Sequence, residues 1–231
     1  TWGWLIVIYL FLGGLGAGAF LCSALAYKGF LGSLNERFYK FGFLLAPVAV
    51  IIGTALLLFD LAPSAAINPL KILQLYTRPV SMMSIGTYLL TFFIVVSVLV
   101  LLQIKKSGKI CDMMLTLGAI LALGVMGYTG LLLYVVKAIP LWASVWLPIL
   151  FTISAISTGL SANAAATLNS GHGLSHCAHK FHVALVALEI VAVLALFASV
   201  RSEAAGMASV TKIVSGSLAP MFWIGFVVFG L

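Results

Sequence analysis

Two carboxylates stand inside long apolar stretches of this sequence. Asp60 lies in the run Leu56–Leu61, and Glu189 lies near the middle of Val183–Val200. A charge in hydrocarbon costs about 2.5–3.5 kcal/mol on insertion scales, which makes such residues functional candidates. The plain alternative for Asp60 is a carboxylate hydrated at a membrane surface. For Glu189 it is a hydrogen-bonded carboxylic acid that only joins two helices, and a place in a proton path is the functional interpretation.

Other polar side chains reach the depth of Asp60 if each apolar stretch is a helix. At 1.5 Å per residue, Tyr128 lies about 13 Å below the end of its segment at Lys137. Tyr9 and Ser84 lie in the corresponding halves of their own segments. Scattered hydroxyls are common in membrane helices, but a layer to which four helices contribute also suits the head of an amphipathic ligand. A quinone fits this layer, because its redox reaction moves two protons, for which a carboxylate and a phenol are suitable.

Histidine and cysteine are the remaining residues that bind metals. His172, His176, His179 and His182 share one segment with Cys177, and spacings of three and four place some of them on one helical face. A bis-histidine haem normally takes ligands from different helices, and no other predicted helix contains a histidine. We therefore interpret the segment as a polar loop that enters the sixth helix. The three cysteines are too few for a four-ligand cluster, so we expect no metal site and no intrinsic haem or iron–sulfur cluster.

The elements that position these residues are predicted to be membrane-spanning helices. Hydrophobic residues make up 63% of the 231 positions and charged residues 7%, whereas soluble domains carry about 25% charged residues. The fold class is therefore all-α, a polytopic transmembrane helix bundle. In the first helix, Gly14 and Gly18 form a GxxxG pair that lets a neighbouring helix approach closely. A span needs about 20 apolar residues, and about seven segments qualify: 4–27, 41–62, 81–104, 113–136, 142–168, 182–200 and 213–231.

The net charge of +7 is explained by membrane topology rather than by nucleic-acid binding. No cluster of basic residues resembles a phosphate-binding face. The odd-numbered loops carry Lys28, Arg37, Lys40, Lys105, Lys106, Lys109 and Lys180, and the even-numbered loops carry Lys71, Arg78, Lys137, Arg201 and Lys212. By the positive-inside rule this bias places the odd-numbered loops in the cytoplasm and the N-terminus outside.

Several short motifs follow one another in the order found in a known membrane-protein family. They are Trp2–Gly3–Trp4 with Tyr9–Gly18, Leu58-x-Asp60–Leu61 before Pro63, Ser81–Gly86, Gly127–Leu132, Pro140–Trp142 and Ala219–Trp223. On these motifs, nearly the whole sequence resembles the NrfD/polysulfide reductase membrane-subunit family. Met82 and Ile85 depart from the Ser-Pro-Met-Ser-Trp-Gly pattern of that family.

The resemblance implies a membrane anchor subunit of a respiratory oxidoreductase complex. Such a subunit exchanges electrons between the membrane pool of menaquinone or ubiquinone and a ferredoxin-like iron–sulfur subunit on the outer face. That partner connects to a molybdopterin catalytic subunit or a multihaem cytochrome c. The resemblance further implies a bacterial or archaeal cytoplasmic membrane, with membrane lipids and no nucleic acid as other partners.

The resemblance also divides the sequence and assigns its site. Residues 1–137 would form a first four-helix bundle that holds the quinone, and residues 138–231 a second bundle, one helix short of the eight that the family usually has. On motif matching, the quinone-site residues fall at Tyr9, Asp60 and Tyr128, the layer that the depth argument also selects. The predicted residues are Asp60 and Tyr128 as catalytic, Tyr9, Asp60, Ser84 and Tyr128 as quinone-binding, and Glu189 as a proton-path candidate.

One departure and three alternatives stay open at this point. The second helix lacks the Arg that often follows the family's Asp, which leaves Arg78 or Lys71 to neutralise the site. The alternatives are a membrane anchor that carries b-type haem, a proton-coupled transporter that uses Glu189, and a purely structural anchor.

Overall fold

Six long apolar helices make up most of the protein. The computed structural model describes residues 4–61, 82–136, 139, 141–167, 175–201 and 204–225. Every regular element among those residues is a helix, and six helices are long and apolar enough to cross a membrane. The prediction of an all-α polytopic bundle is confirmed. The helices are α1 (Trp4–Tyr27), α2 (Glu36–Leu61), α3 (Met82–Ser107), α4 (Asp112–Tyr134), α5 (Trp146–Ala165), α6 (His176–Ser199), α7 (Ala204–Val214) and α8 (Ala219–Trp223).

The last predicted span differs from a single straight helix where the structure describes it. The segment 213–231 begins in α7, turns through 215–218 and continues into the five-residue helix α8. Residues 226–231 lie outside the described part of the protein. The predicted loop at 169–181 is also corrected, because residues 176–181 are already helical. Ser175 caps that helix by accepting a hydrogen bond from the Ala178 amide at 3.1 Å, which satisfies one free donor at the N-terminus of α6.

α1 is the central helix, because it packs against α2, α4 and α5. The predicted close approach at the GxxxG pair is made to α5. A methyl group on Gly14 would lie 3.3 Å from the Cβ of Ala155, and one on Gly18 would overlap the Ala155 carbonyl. Small residues thus let two backbones touch where lipid gives no hydrophobic driving force for helix association.

Aromatic rings join the first three helices on the opposite side of α1. The ring of Phe20 meets Phe43 of α2 edge-to-face with centroids 5.3 Å apart, and Phe93 of α3 in the same way at 5.5 Å. Edge-to-face pairs of this kind contribute about 0.5–1.5 kcal/mol beyond the area that they bury. The rings fix α2 and α3 around α1 below the predicted quinone layer.

A buried amide ties α5 to α1 deep in the bundle. Nδ2 of Asn163 donates to the Ala19 carbonyl and to the Ser23 hydroxyl, each at 3.0 Å, and both side chains are fully buried. A methyl group on Gly42 of α2 would overlap Ser23, so α2 closes over this contact. The result is a three-helix polar junction that fixes the register of α5 against α1.

The two ends of the bundle differ in the types of residue that they carry. Trp4, Tyr134 and Trp146 lie at one end, which we call the Trp4 end. The opposite end holds Lys28, whose ammonium pairs with Asp112 at 2.6 Å and so ties the α1–α2 connection to the start of α4. Tyr9 comes five residues after Trp4, and Tyr128 six residues before Tyr134, so each lies about 8–9 Å along its helix from the Trp4 end.

Candidate functional site

Tyr9 and Tyr128 form the centre of the predicted quinone layer. Tyr9 of α1 is fully buried and Tyr128 of α4 is 5% exposed. Their hydroxyls face each other within hydrogen-bonding reach. Apart from Tyr128, the Tyr9 hydroxyl has no hydrogen-bond partner among the described residues. A hydrogen bond between the two phenols uses only one of their two protons, so the pair can still bond a ligand oxygen.

Two glycines shape the space around these phenols. Gly86 of α3 faces the ring of Tyr128 so closely that a methyl group there would overlap its Cζ and hydroxyl. Gly53 of α2 lies beside Tyr9, where a Cβ would be 3.5 Å from Cδ2 of the ring. Helices α2 and α3 therefore present backbone to the phenols, and only glycine at position 86 leaves room for the observed position of Tyr128.

The other predicted quinone-site residues are described unequally. Ser84 is 3% exposed and lies on α3 two residues before Gly86. The backbone of Asp60 is in the last turn of α2, at the Trp4 end, and its side chain lies outside the described part of the protein. Lys71 and Arg78 fall outside the described residues. The structure thus brings Tyr9 and Tyr128 together and puts Ser84 and the backbone of Asp60 at the same end of the bundle.

Glu189 occupies a different part of the molecule. It lies on α6, is 3% exposed, and has the Ser154 hydroxyl of α5 within hydrogen-bonding reach of its carboxyl group. Its Oε2 atom has no hydrogen-bond partner among the described residues. A buried carboxyl group with a free oxygen is uncommon and calls for a functional explanation. Sequence reasoning selected Glu189 but missed Ser154, whose only signal is its four-residue spacing to Thr158.

The histidine segment is described from Ser175 onward, so His172 is outside it. His176, His179 and His182 lie in the first two turns of α6, and Cys177 donates to the Phe30 carbonyl at 3.4 Å. Across the described residues, no group of three or more His, Cys, Asp or Glu side chains is placed to share a metal ion. The absence of an intrinsic cofactor stays a prediction.

The family to which the sequence motifs point is decided by comparison with known proteins. The family model for polysulphide reductase, NrfD, matches residues 1–231. The chain belongs to the NrfD polysulphide reductase family. Six span-length apolar helices and membership of this family make it a multi-pass integral membrane protein. The resemblance stated from the motifs is therefore confirmed over the whole sequence.

Individual relatives in the NrfD family are similar along the full length of this protein. It is 30% identical to the C subunit of polysulfide reductase from Wolinella succinogenes, and the alignment covers 100% of the present sequence and 80% of that subunit. It is 29% identical to protein NrfD of Escherichia coli, with 82% of that protein covered, and 27% identical to the NrfD homolog of Haemophilus influenzae, with 81% covered. All eight described helices thus fall inside the shared region.

Proposed function

We propose that this protein is the membrane anchor subunit of a respiratory oxidoreductase complex. It would exchange electrons between the quinone/quinol pool and an iron–sulfur partner at the Trp4 end. The observation that carries the proposal is the Tyr9–Tyr128 pair, which puts two facing, buried phenol hydroxyls close to that end. Similarity to a protein named as a component of polysulfide reductase supports a place among the subunits of a reductase.

The proposed chemistry is quinol oxidation or its reverse. A quinol that becomes a quinone gives up two electrons and two protons. The phenol hydroxyls of Tyr9 and Tyr128 would hydrogen-bond the quinol oxygens and orient the ring. Asp60 would take the two protons in turn and release each to water, because a carboxylate at the membrane interface exchanges protons with water. The electrons would pass to the partner subunit, since we propose no intrinsic haem or cluster for this protein.

The partner is proposed to be a ferredoxin-like protein docked at the Trp4 end. It would relay electrons to a molybdopterin subunit or a multihaem cytochrome c.

The distribution of charge supports an external position for the Trp4 end. Lys105 and Lys106 close α3 at the opposite end, and Lys180 lies in the first turns of α6 there. By the positive-inside rule, the opposite end would face the cytoplasm of a bacterium or archaeon.

The division into two bundles is also proposed from the packing. Residues 1–137 would hold the quinone site, because the largest hydrophobic cluster draws most of its members from α1 to α4. Residues 138–231 would form the second bundle. Leu147 and Ala155 of α5 and Leu196 of α6 also pack into the first cluster, so α5 would connect the two bundles.

Glu189 is proposed to belong to a proton path in this second part. Its burial and its contact with Ser154 support the proposal, because a carboxyl group and a hydroxyl within hydrogen-bonding reach can pass a proton between them. In the alternative interpretation, the same pair only joins α5 to α6. The two interpretations differ in what Gln at position 189 should do, since Gln keeps hydrogen bonds but cannot ionise.

The experiment that tests the proposed function is isolation of the protein from its native membrane with its partners. We expect an extracytoplasmic protein with several four-cysteine clusters to copurify, and we expect the complex to oxidise or reduce decylubiquinone or a menaquinone analogue. A complex that lacks any iron–sulfur protein and is inert towards both quinones would refute the proposal. A visible absorption spectrum of the isolated subunit separates this function from that of a haem-carrying anchor.

A further inference from the structure

A groove opens on the side of α1 that faces away from the Tyr9–Tyr128 pair. It has a volume of about 550 Å³ and lies between α1, α4 and α5. α1 and α5 touch at Gly14 and Gly18, and the groove follows them from that contact towards the Trp4 end, with Thr129 and Leu133 of α4 in its wall. Ligand pockets typically measure about 300–1,000 Å³, so the space suits a small molecule.

The groove communicates with the membrane rather than with the protein core. Val7 and Phe11 stand one turn apart on its α1 wall and are 53% and 58% exposed. An apolar molecule dissolved in the lipid would therefore reach the groove sideways. Within the described part of the protein, none of the lining residues is charged, which disfavours a phosphate or carboxylate headgroup because nothing would neutralise it.

Hydroxyl groups in the groove determine which kind of head it can bind. Oγ1 of Thr158 donates to the Ser154 carbonyl, and Oγ1 of Thr129 donates to the Met126 carbonyl, each at 2.7 Å. With its proton used within the helix, each hydroxyl oxygen keeps lone pairs that can accept a hydrogen bond. A bound head that donates a hydrogen bond can pair with Thr158 without breaking either of these bonds.

Ser154 connects the groove to the free carboxyl oxygen of α6. It lines the groove four residues before Thr158, and its hydroxyl lies within hydrogen-bonding reach of Glu189, whose Oε2 has no partner among the described residues. A donating head next to Thr158 would therefore stand one side chain away from a buried, unsatisfied acid. This is a second observation, independent of the groove's shape, that points to a polar ligand.

We infer that the groove between α1, α4 and α5 is a second quinol site, which binds the reduced, hydrogen-bond-donating form. A hydroquinone hydroxyl would donate to Thr158, and the apolar tail would pass out between Val7 and Phe11 into the lipid. The choice of a quinol among neutral donating amphiphiles rests on the proposed function, which makes quinol the substrate of this protein.

The test counts quinol molecules bound to the full-length protein, purified with the subunits that copurify with it, by native mass spectrometry. The probe is decylubiquinol, the reduced form of decylubiquinone. Val7→Trp fills the groove, and Ile8→Trp is the matched control, because Ile8 is 42% exposed on the same helix and does not line the groove. We expect two reduced molecules on the wild type and on Ile8→Trp, and one on Val7→Trp.

Thr158→Val provides a variant that changes one hydroxyl and little volume. It should weaken the groove adduct by about threefold to tenfold, as expected for one lost hydrogen bond, with the other adduct unchanged. Equal numbers of reduced adducts on Val7→Trp and Ile8→Trp would overturn the inference. Displacement of the groove adduct by 1-monooleoylglycerol at the same concentration would also overturn it, and would identify a general acyl-lipid site.

The same experiment separates this inference from the proposed function. A single adduct that Tyr128→Phe weakens and Val7→Trp leaves intact would support the site at Tyr9 and Tyr128 and overturn the groove. A single adduct that responds only to Val7→Trp would support the groove and overturn the first site. If no quinol or quinone binds at all, both proposals fail.

Discussion

Replacing Gly86 with alanine tests whether the position of Tyr128 governs quinol turnover. A methyl group at position 86 would overlap Cζ and the hydroxyl of Tyr128. Ordinary carbon–carbon contacts need about 3.5 Å, so the phenol must move by more than about 1 Å. A misplacement of that size typically costs about 100-fold in rate, and we expect kcat/KM for decylubiquinol to fall by about 10-fold to 100-fold.

The effect of this substitution on stability should be small by comparison. Inserting a methylene-sized group into a packed site costs about 1–3 kcal/mol. Alanine in place of glycine recovers about 1 kcal/mol of helix propensity. The net loss in unfolding free energy is then about 0–2 kcal/mol, and the complex should still assemble. Unfolding by sodium dodecyl sulfate titration, read by circular dichroism, measures this term separately from turnover.

Gly127 is the matched control for Gly86. It precedes Tyr128 on α4, and a Cβ at that position meets nothing within 4 Å among the described residues. Gly127→Ala should therefore leave kcat/KM unchanged and stabilise the protein by up to about 1 kcal/mol. In a Tyr128→Ala background, Gly86→Ala should behave like Gly127→Ala, because the overlapping ring is gone. Equal turnover for Gly86→Ala and Gly127→Ala would refute the reasoning.

The remaining predictions concern the proton groups, the polar junction and the cofactor content. Asp60→Asn should abolish most quinol turnover in an assembled complex, because Asn cannot ionise; unchanged kinetics would move the proton acceptor elsewhere. Glu189→Gln should reduce proton movement in proteoliposomes without loss of folding. The protonated-carboxyl band in the infrared difference spectrum on quinone reduction should also disappear in this variant. Full activity and an unchanged spectrum would mean that Glu189 is only a packing residue. Asn163→Ala should lower the unfolding free energy by about 1–3 kcal/mol through two lost hydrogen bonds. Thr152→Val is the control, because the Thr152 hydroxyl donates to a carbonyl of its own helix, and it should change the unfolding free energy by less than about 0.5 kcal/mol. Equal effects of the two substitutions would contradict the role of the junction. The isolated subunit should contain no stoichiometric haem or iron by absorption and metal analysis, and either finding would contradict the predicted cofactor content.

The membrane spans were predictable because hydropathy acts locally. The first predicted span, 4–27, coincides with α1, and 113–136 differs from α4 by only one or two residues. Larger differences occur where charged residues extend a helix beyond the apolar stretch. α2 begins at Glu36 rather than 41, where the Asn35 side chain accepts from the Arg37 amide at 3.3 Å. Hydropathy identifies the stretch that crosses lipid, whereas capping groups determine where the helix begins.

The common depth of Tyr9, Ser84 and Tyr128 could also be predicted from the sequence, because it too follows from local geometry. Depth along a helix follows from a constant rise per residue, and in a bundle of parallel or antiparallel spans this single coordinate places residues from separate helices at one level. Rotation about each helix axis is a second coordinate that depends on packing. The tertiary structure determines this rotation, and with it the facts that Tyr9 and Tyr128 face each other and that Gly86 leaves room for the phenol.

Sequence alone determined that this protein is a bundle of apolar helices with a few costly polar groups at defined depths. Which helices touch was decided only by the tertiary structure. The GxxxG pair of α1 predicted a close neighbour, but its partner is Ala155, on a helix more than a hundred residues away. Asn163 reaches Ser23 across 140 positions, and Ser154 meets Glu189 between α5 and α6. Contacts between distant segments depend on two helix surfaces that complement each other. A local pattern of residue types describes only one of these two surfaces, so it does not identify the partner helix.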